Sequence, residues 1–203
     1  MQGKRLTRHA RPAFADPTAI GLLGLAIVTL VASSQKLGLT HDVYLVLPWA
    51  IFLGAFAQLY ASVCDGKLGN TFGMTAFGAY GLFWLGVAMT WMAQAGLFGE
   101  TFRATADIHQ LGVAFVGYLI FTLFMTFGAA SINQVLFIIF VLINLLFTGL
   151  ALNALFDSEF GKWLAAFSEL LIALFAFYGS GASVLNTHFG RVVLPLGRPL
   201  LAK

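Results

Sequence analysis

The stretch QVLFIIFVLINLLFTGLALNAL, residues 134–155, runs for 22 positions without a charged side chain. The hydrocarbon core of a bilayer calls for about 20 predominantly apolar residues in a crossing helix, so this stretch reads as a membrane span. Working outward from Gln134–Leu155, five more runs of the same kind appear: Thr18 to Ser34, Tyr44 to Cys64, Asn70 to Gln94, Ile108 to Phe127 and Gly161 to Leu185. Short turns separate them and hold nearly all the charge, among them Gln35-Lys36, Asp65-Gly66-Lys67, Glu100 to Asp107 and Asp157-Ser158-Glu159. The expected fold is all-α, a polytopic membrane protein with six transmembrane helices. It forms a single domain over 1–203, with a basic arm at 1–17 and a tail at 186–203.

Composition supports the same class. Of 203 residues, 60% are apolar and 9% charged, where soluble domains carry about 25% charged residues. Disordered chains are poor in aromatics, and this one is 15% aromatic. The net charge of +3 comes from scattered basic residues, with no basic stripe to follow a phosphate backbone, so no nucleic-acid partner is expected. Cys64 is the lone cysteine, and His9, His41, His109 and His188 form no pair with metal-ligand spacing. Neither a metal nor a cofactor is expected.

Six spans place both termini on one side. Lys4, Arg5, Arg8, Arg11, Lys67, Arg191, Arg198 and Lys203 fall on that side, against Lys36, Arg103 and Lys162 on the other. An excess of Lys and Arg marks the cytoplasmic face, so both termini are expected inside, with the chain multi-pass in the plasma or inner membrane. Small residues at helical spacing, Ala50, Gly54, Ala57 and Ala61 on the second span and Ala173, Ala176, Ser180 and Ser183 on the sixth, offer faces for close helix packing.

Polar residues within spans are costly unless they meet a partner or water, and so they mark candidate function. They are Gln58 on the second span, Asn70, Thr71, Thr75 and Tyr80 on the third, Asn144 and Thr148 on the fifth, and Glu169 on the sixth. Each could serve interhelical hydrogen bonding or contact a solute; together they suit a mildly polar, almost uncharged path for a small solute. Glu169 is the one acid read as intramembrane and therefore the candidate for proton coupling. Cation channels and proton pumps place several acids or histidines in their spans, which this chain does not. A membrane enzyme would need grouped nucleophile, base or carboxylates at one face; no Gly-x-Ser-x-Gly, His-Glu-x-x-His or phosphate-loop element is present.

Particular strings are more specific. Gly69-Asn70-Thr71-Phe72-Gly73-Met74-Thr75-Ala76-Phe77, continuing Gly78-Ala79-Tyr80-Gly81-Leu82-Phe83-Trp84, resembles the signature of the acetate uptake transporter family, the succinate-acetate permeases. Asp16-Pro17-Thr18-Ala19-Ile20-Gly21-Leu22 is similar to the family's N-terminal Asn-Pro-Ala-Pro-Leu-Gly-Leu motif, with Asp16 in place of Asn and Thr18-Ala19 in place of Ala-Pro. Phe121-Thr122-Leu123-Phe124-Met125 and Asn186-Thr187-His188-Phe189-Gly190-Arg191 resemble its fourth-span and C-terminal strings.

The resemblance implies transport of acetate, and of other short monocarboxylates or succinate, by a homo-hexamer in the lipid bilayer. Each protomer would hold its own path, narrowing at a hydrophobic constriction of Phe, Tyr and Leu. Those positions map onto Leu25, Tyr80 and Ile143, so two of the three differ from the family while remaining apolar. On this reading Gln58, Asn70, Thr71, Thr75, Asn144 and Thr148 replace part of the solute's hydration, and Tyr80 offers one donor at the narrowest point. Channel-like and proton-coupled passage both fit such a path.

Overall fold

A computed structural model describes residues 15–201. The basic residues Lys4, Arg5, Arg8 and Arg11, together with His9 and Lys203, lie outside the described residues. Within them the chain is all-helical. The six spans are α1 (Thr18–Lys36), α2 (Leu47–Lys67), α3 (Thr71–Gln94), α5 (Ile108–Ala130), α6 (Gln134–Phe156) and α7 (Glu159–Phe189). A short helix, α4 (Glu100–Thr105), sits in the loop between α3 and α5.

Helix starts follow capping chemistry. The first backbone N–H groups of a helix lack intrahelical acceptors, and a side-chain oxygen just before them supplies one. Asn70, Asp107, Asn133 and Ser158 cap α3, α5, α6 and α7 in this way, accepting from Gly73, His109, Leu136 and Gly161. At the far end of α7, Gly190 takes a left-handed conformation with φ +60, which ends the helix.

Most spans extend a few residues past the apolar runs. Asp65, Gly66 and Lys67, expected as a loop, form the last turn of α2, and Asp65 is buried. An apolar run stops at the first charge, whereas a helix continues until a residue such as Gly69, with φ +75, turns the backbone. Span α2 also departs from regular α geometry, since Ala50–Ala57 is π-helical. A π segment is rare and concentrates at functional positions; here it ends at Gln58.

The spans close into a ring. In order around it come α1, α7, α6, α5, α3 and α2, and α2 returns to α1. The seam between α3 and α5 is the lightest in contacts and is tied by hydrogen bonds from Tyr118 to the Ala79 carbonyl and from Tyr80 to Thr122. Elsewhere glycine allows backbones to approach, as membrane helices without a hydrophobic driving force require. A Cβ on Gly149 would lie 2.6 Å from the Gly161 carbonyl oxygen of α7, and one on Gly24 would overlap the Leu53 carbonyl of α2. The residues just before α1 and the segment after α7 lie on one face of the ring, called here the terminal face. The segment after α7 folds back over it. Leu196 accepts from the Val135 N–H, Leu200 donates to Ala130, and Tyr178 donates to the Pro195 carbonyl.

This packing sets a contrast between two glycines. Gly149→Ala forces α6 off α7 and should lower the unfolding temperature of the detergent-purified protein, by the equivalent of about 1–3 kcal/mol. Gly86→Ala on α3 meets nothing within 4 Å, and better helix propensity should leave its unfolding temperature unchanged or raised.

Candidate functional site

Two cavities enter the ring from opposite faces. The larger, of about 650 Å3, opens on the face away from the termini and is lined by Lys36, Trp84, Trp91, His109, Asp157 and Glu169 among others. The smaller, of about 220 Å3, lies at the terminal face between the starts of α1, α3 and α6 and the end of α2. Its polar wall is Asp16, Thr18, Gln58, Asp65, Asn70, Asn133 and Ser183, and Leu196 of the returning tail contributes to the wall.

Leu25, Tyr80 and Ile143 come together in the smaller cavity's wall, from α1, α3 and α6. All three are buried. Beyond them stands a layer of rings that the sequence reading did not single out. Phe147, one turn past Ile143 and only 1% exposed, stacks on Tyr118 at 5.4 Å between centroids and on Tyr80 at 6.4 Å. Phe83 meets Phe147 edge-on at 5.1 Å, and Phe115 packs behind at 6.4 Å. Phe83 and Phe115 in turn line the larger cavity. An aromatic wall therefore separates the two chambers. Offset and edge-on ring pairs add about 0.5–1.5 kcal/mol each beyond area burial, so the wall is a rigid element.

The wall offers no free hydrogen-bond donor at Tyr80. The Thr122 hydroxyl has one proton, which it donates to the Tyr118 carbonyl at 2.7 Å. The 2.9 Å contact between Tyr80 and Thr122 must then carry the phenol's proton. In this arrangement the Tyr80 hydroxyl is engaged with Thr122 of α5.

The polar residues sort into two groups. Gln58 and Asn70 line the smaller cavity. Gln58 uses one N–H on the Gly54 carbonyl, inside the π-helical segment, and makes no other bond among the described residues. Asn70 reaches Asp65 with its amide, Nδ2 donating to Oδ1 at 2.9 Å. The second group lies outside both chambers. Thr71 and Thr75 are exposed on the outer side of α3. Asn144 donates to Thr126 on α5 and to its own helix at Phe140, and Thr148 donates to the Asn144 carbonyl. The Asn144 contact ties α6 to α5, and the Thr148 bond stays within α6.

Glu169 is placed where the larger cavity meets the helix packing. It is 2% exposed and pairs with Lys36 at 2.7 Å, so the acid is charge-balanced in place instead of reaching the membrane interface. Lys36, at 19% exposed, keeps contact with the chamber. At the rim, the backbone N–H and ring of His109 both bond the Asp107 carboxylate and hold it below the usual carboxylate range. Among the described residues no group of His, Cys, Asp and Glu has the arrangement of a metal site.

The Lys36–Glu169 pair carries its own test. Glu169→Ala strands the Lys36 ammonium and should cost about 3 kcal/mol of stability, the lower end for a broken buried pair because Lys36 keeps some water. The double replacement Lys36→Met with Glu169→Leu should recover most of that loss in thermal unfolding of the purified protein.

Comparison with known proteins agrees with this architecture. The family model described as the GPR1/FUN34/yaaH family matches residues 2–197. The chain is 36% identical over 184 residues to the succinate-acetate/proton symporter SatP of Escherichia coli (strain K12), covering 90% of this chain and 95% of that one. It is 27% identical over 197 residues to acetate permease A of Emericella nidulans, covering 90% of this chain and 66% of that one. A solved structure of the bacterial acetate channel SatP superposes with a TM-score of 0.84 at 32% identity, covering 91% of this chain and 99% of that chain. The chain is a multi-pass membrane protein that belongs to the GPR1/FUN34/yaaH family.

Proposed function

We propose that the chain moves acetate and related short carboxylates, succinate among them, across a cell membrane, with one path in each protomer. The observation that carries this reading is the pair of opposed chambers meeting at a single aromatic wall, lined by polar groups on both sides and apolar between. Relatives named as an acetate permease and as a succinate-acetate symporter support it. The named relatives are transporters, and we assign no enzymatic activity.

The chemistry suits a small carboxylate. Acetate titrates near the range of a Glu side chain, about 4.3, and so travels as an anion at neutral pH unless a proton joins it. In the larger chamber Lys36 supplies positive charge, tempered by Glu169, so that an anion is drawn in without being trapped. At the neck Leu25 and Ile143 face the methyl end, and Tyr80 keeps the opening rigid. On the terminal side Gln58 and Asn70 supply amide groups to the carboxylate. Thr71, Thr75, Asn144 and Thr148 serve the helices and, in Asn144, their packing instead of the solute. The basic residues at the ends place both termini in the cytoplasm, and the chain works as a homo-hexamer.

Purified protein in liposomes should show labelled acetate flux above empty vesicles; vesicles that match the empty ones would overturn the substrate. Phe147→Ala and Tyr80→Ala should each open the wall, raising acetate flux severalfold and admitting longer monocarboxylates. Leu25→Phe should narrow the neck and reduce succinate flux more than acetate flux. Unchanged size selectivity across all three variants would remove the wall from the path.

A further inference from the structure

We propose that Asp65 is the proton-carrying residue of the terminal chamber: in its acid form it donates from Oδ2 to the carboxylate of the solute, so that proton and solute cross together. This rests on the reading of the chain as a carboxylate transporter.

Asp65 is 2% exposed, lies in the last turn of α2, and lines the smaller chamber beside Asn70. Its two oxygens differ. Oδ1 accepts from the Asn70 amide at 2.9 Å, while Oδ2 is buried with no hydrogen-bond partner among the described residues. A carboxylate has two acceptor oxygens to satisfy; a carboxylic acid has one acceptor and one O–H. One donor and one open position suit the acid, and the group missing from Oδ2 is an acceptor. A solute carboxylate in the chamber supplies that acceptor, and the resulting bond to an ionised partner is of the strong class. The place for Oδ2 is built by the backbone. It lies against the first turn of α3 at Gly73, where a Cβ would overlap it.

The surroundings favour a neutral Asp65 during passage. From the segment before α1, Asp16 lines the same chamber; from α3 come Asn70 and Tyr80, from α6 Asn133 and from α7 Ser183. On its own helix Lys67 follows two residues later and is exposed. Among the described residues no Lys, Arg or His lines this chamber. An anion entering it meets Asp16 and Asp65 together, and two like charges at close range oppose it. A proton on Asp65 removes one repulsion and adds a hydrogen bond. Glu169, the other buried acid, is already paired with Lys36 on the far side of the aromatic wall. The step is balanced: a proton from water on the entry side binds Oδ2, is shared with the solute in an O–H···O bond, and is released to water on the exit side when the solute leaves there, which returns Asp65 to its starting state.

The test uses protein in liposomes with membrane potential clamped by potassium and valinomycin, following labelled acetate flux above empty vesicles. Wild-type flux should rise with an imposed inward proton gradient, up to about tenfold per pH unit, and should be insensitive to potential. Asp65→Asn should reduce the gradient response to less than about twofold, leaving any residual flux potential-sensitive, as for a bare anion. Asp65→Glu, which keeps an acid, should retain the response and guards against a folding failure of Asp65→Asn. A wild-type flux driven by potential alone overturns the proposal and leaves carboxylate transport standing. So does Asp65→Asn with the full wild-type gradient response, or Asp65→Glu without one. Wild-type vesicles with no flux above empty ones overturn the transport reading itself, and the proposal with it.

Discussion

Phe147 is the side chain around which the ring closes. From α6 it meets Tyr80 and Phe83 of α3 and Tyr118 and Phe115 of α5, and so joins the two helices whose direct seam is the weakest in the ring. Among packed helices in lipid there is little hydrophobic gain, because tails are as apolar as the side chains; shape and polar ties decide association. Stacked rings supply the shape here, and the Tyr80–Thr122–Tyr118 relay supplies the ties. The same cluster divides the interior into two chambers. The element that holds the bundle together is thus also the barrier that a solute must pass, and changes at Phe147 touch both roles.

Charge is handled differently on the two sides of that barrier. On the side away from the terminal face, Glu169 and Lys36 balance each other at 2.7 Å, and His41, Asp42 and the Asp107–His109 pair at the start of α5 stay exposed. On the terminal side Asp65 is buried with no cation lining its chamber among the described residues, and Asp16 shares that chamber. A buried charge without a partner is costly, and the usual resolution is a change of protonation or a ligand. Asp65 stands out because, among the described residues, neither a salt bridge nor a second donor accompanies it. Its neighbour Gly73 and the capping amide of Asn70 hold the carboxyl in a fixed pose at the start of α3.

Much of the fold was legible in the residues, and the reason is physical: an apolar run of about 20 residues has few alternatives to crossing a membrane. All six spans could be located, and Leu25, Tyr80 and Ile143, named from the family resemblance, line the smaller chamber. Three things were not legible. Asp65 reads as a loop residue because the apolar run ends just before it, whereas helix hydrogen bonding continues through Lys67. Thr71 and Thr75 were assigned to the path as polar residues in a span, but hydroxyls can sit on any helix face by bonding their own backbone, as Thr90 and Thr148 do. Phe147 carries no signal at all in a span that is apolar on every side, since periodicity disappears when a helix is hydrophobic all round.

The unequal chambers give the path a direction of specialisation. The larger one has a balanced ion pair, exposed loops at its rim and room for hydrated solute. The smaller is narrow, bounded by the returning tail at Leu196, and holds amides and two acids with no cation among the described residues. A carboxylate can enter the first with much of its water. On the path proposed above, in the second it would exchange water for Gln58, Asn70 and Asp65. The π-helical turn that ends at Gln58 shifts that side chain relative to a regular helix and engages the Gly54 carbonyl with one of its N–H groups, leaving Gln58, Asn70 and Asp65 on one wall. On the proposed path, selection falls to the narrow chamber and capture to the wide one. The aromatic wall between them sets the size that can pass, because rigid rings held in stacked and edge-on pairs do not yield as flexible aliphatic side chains would.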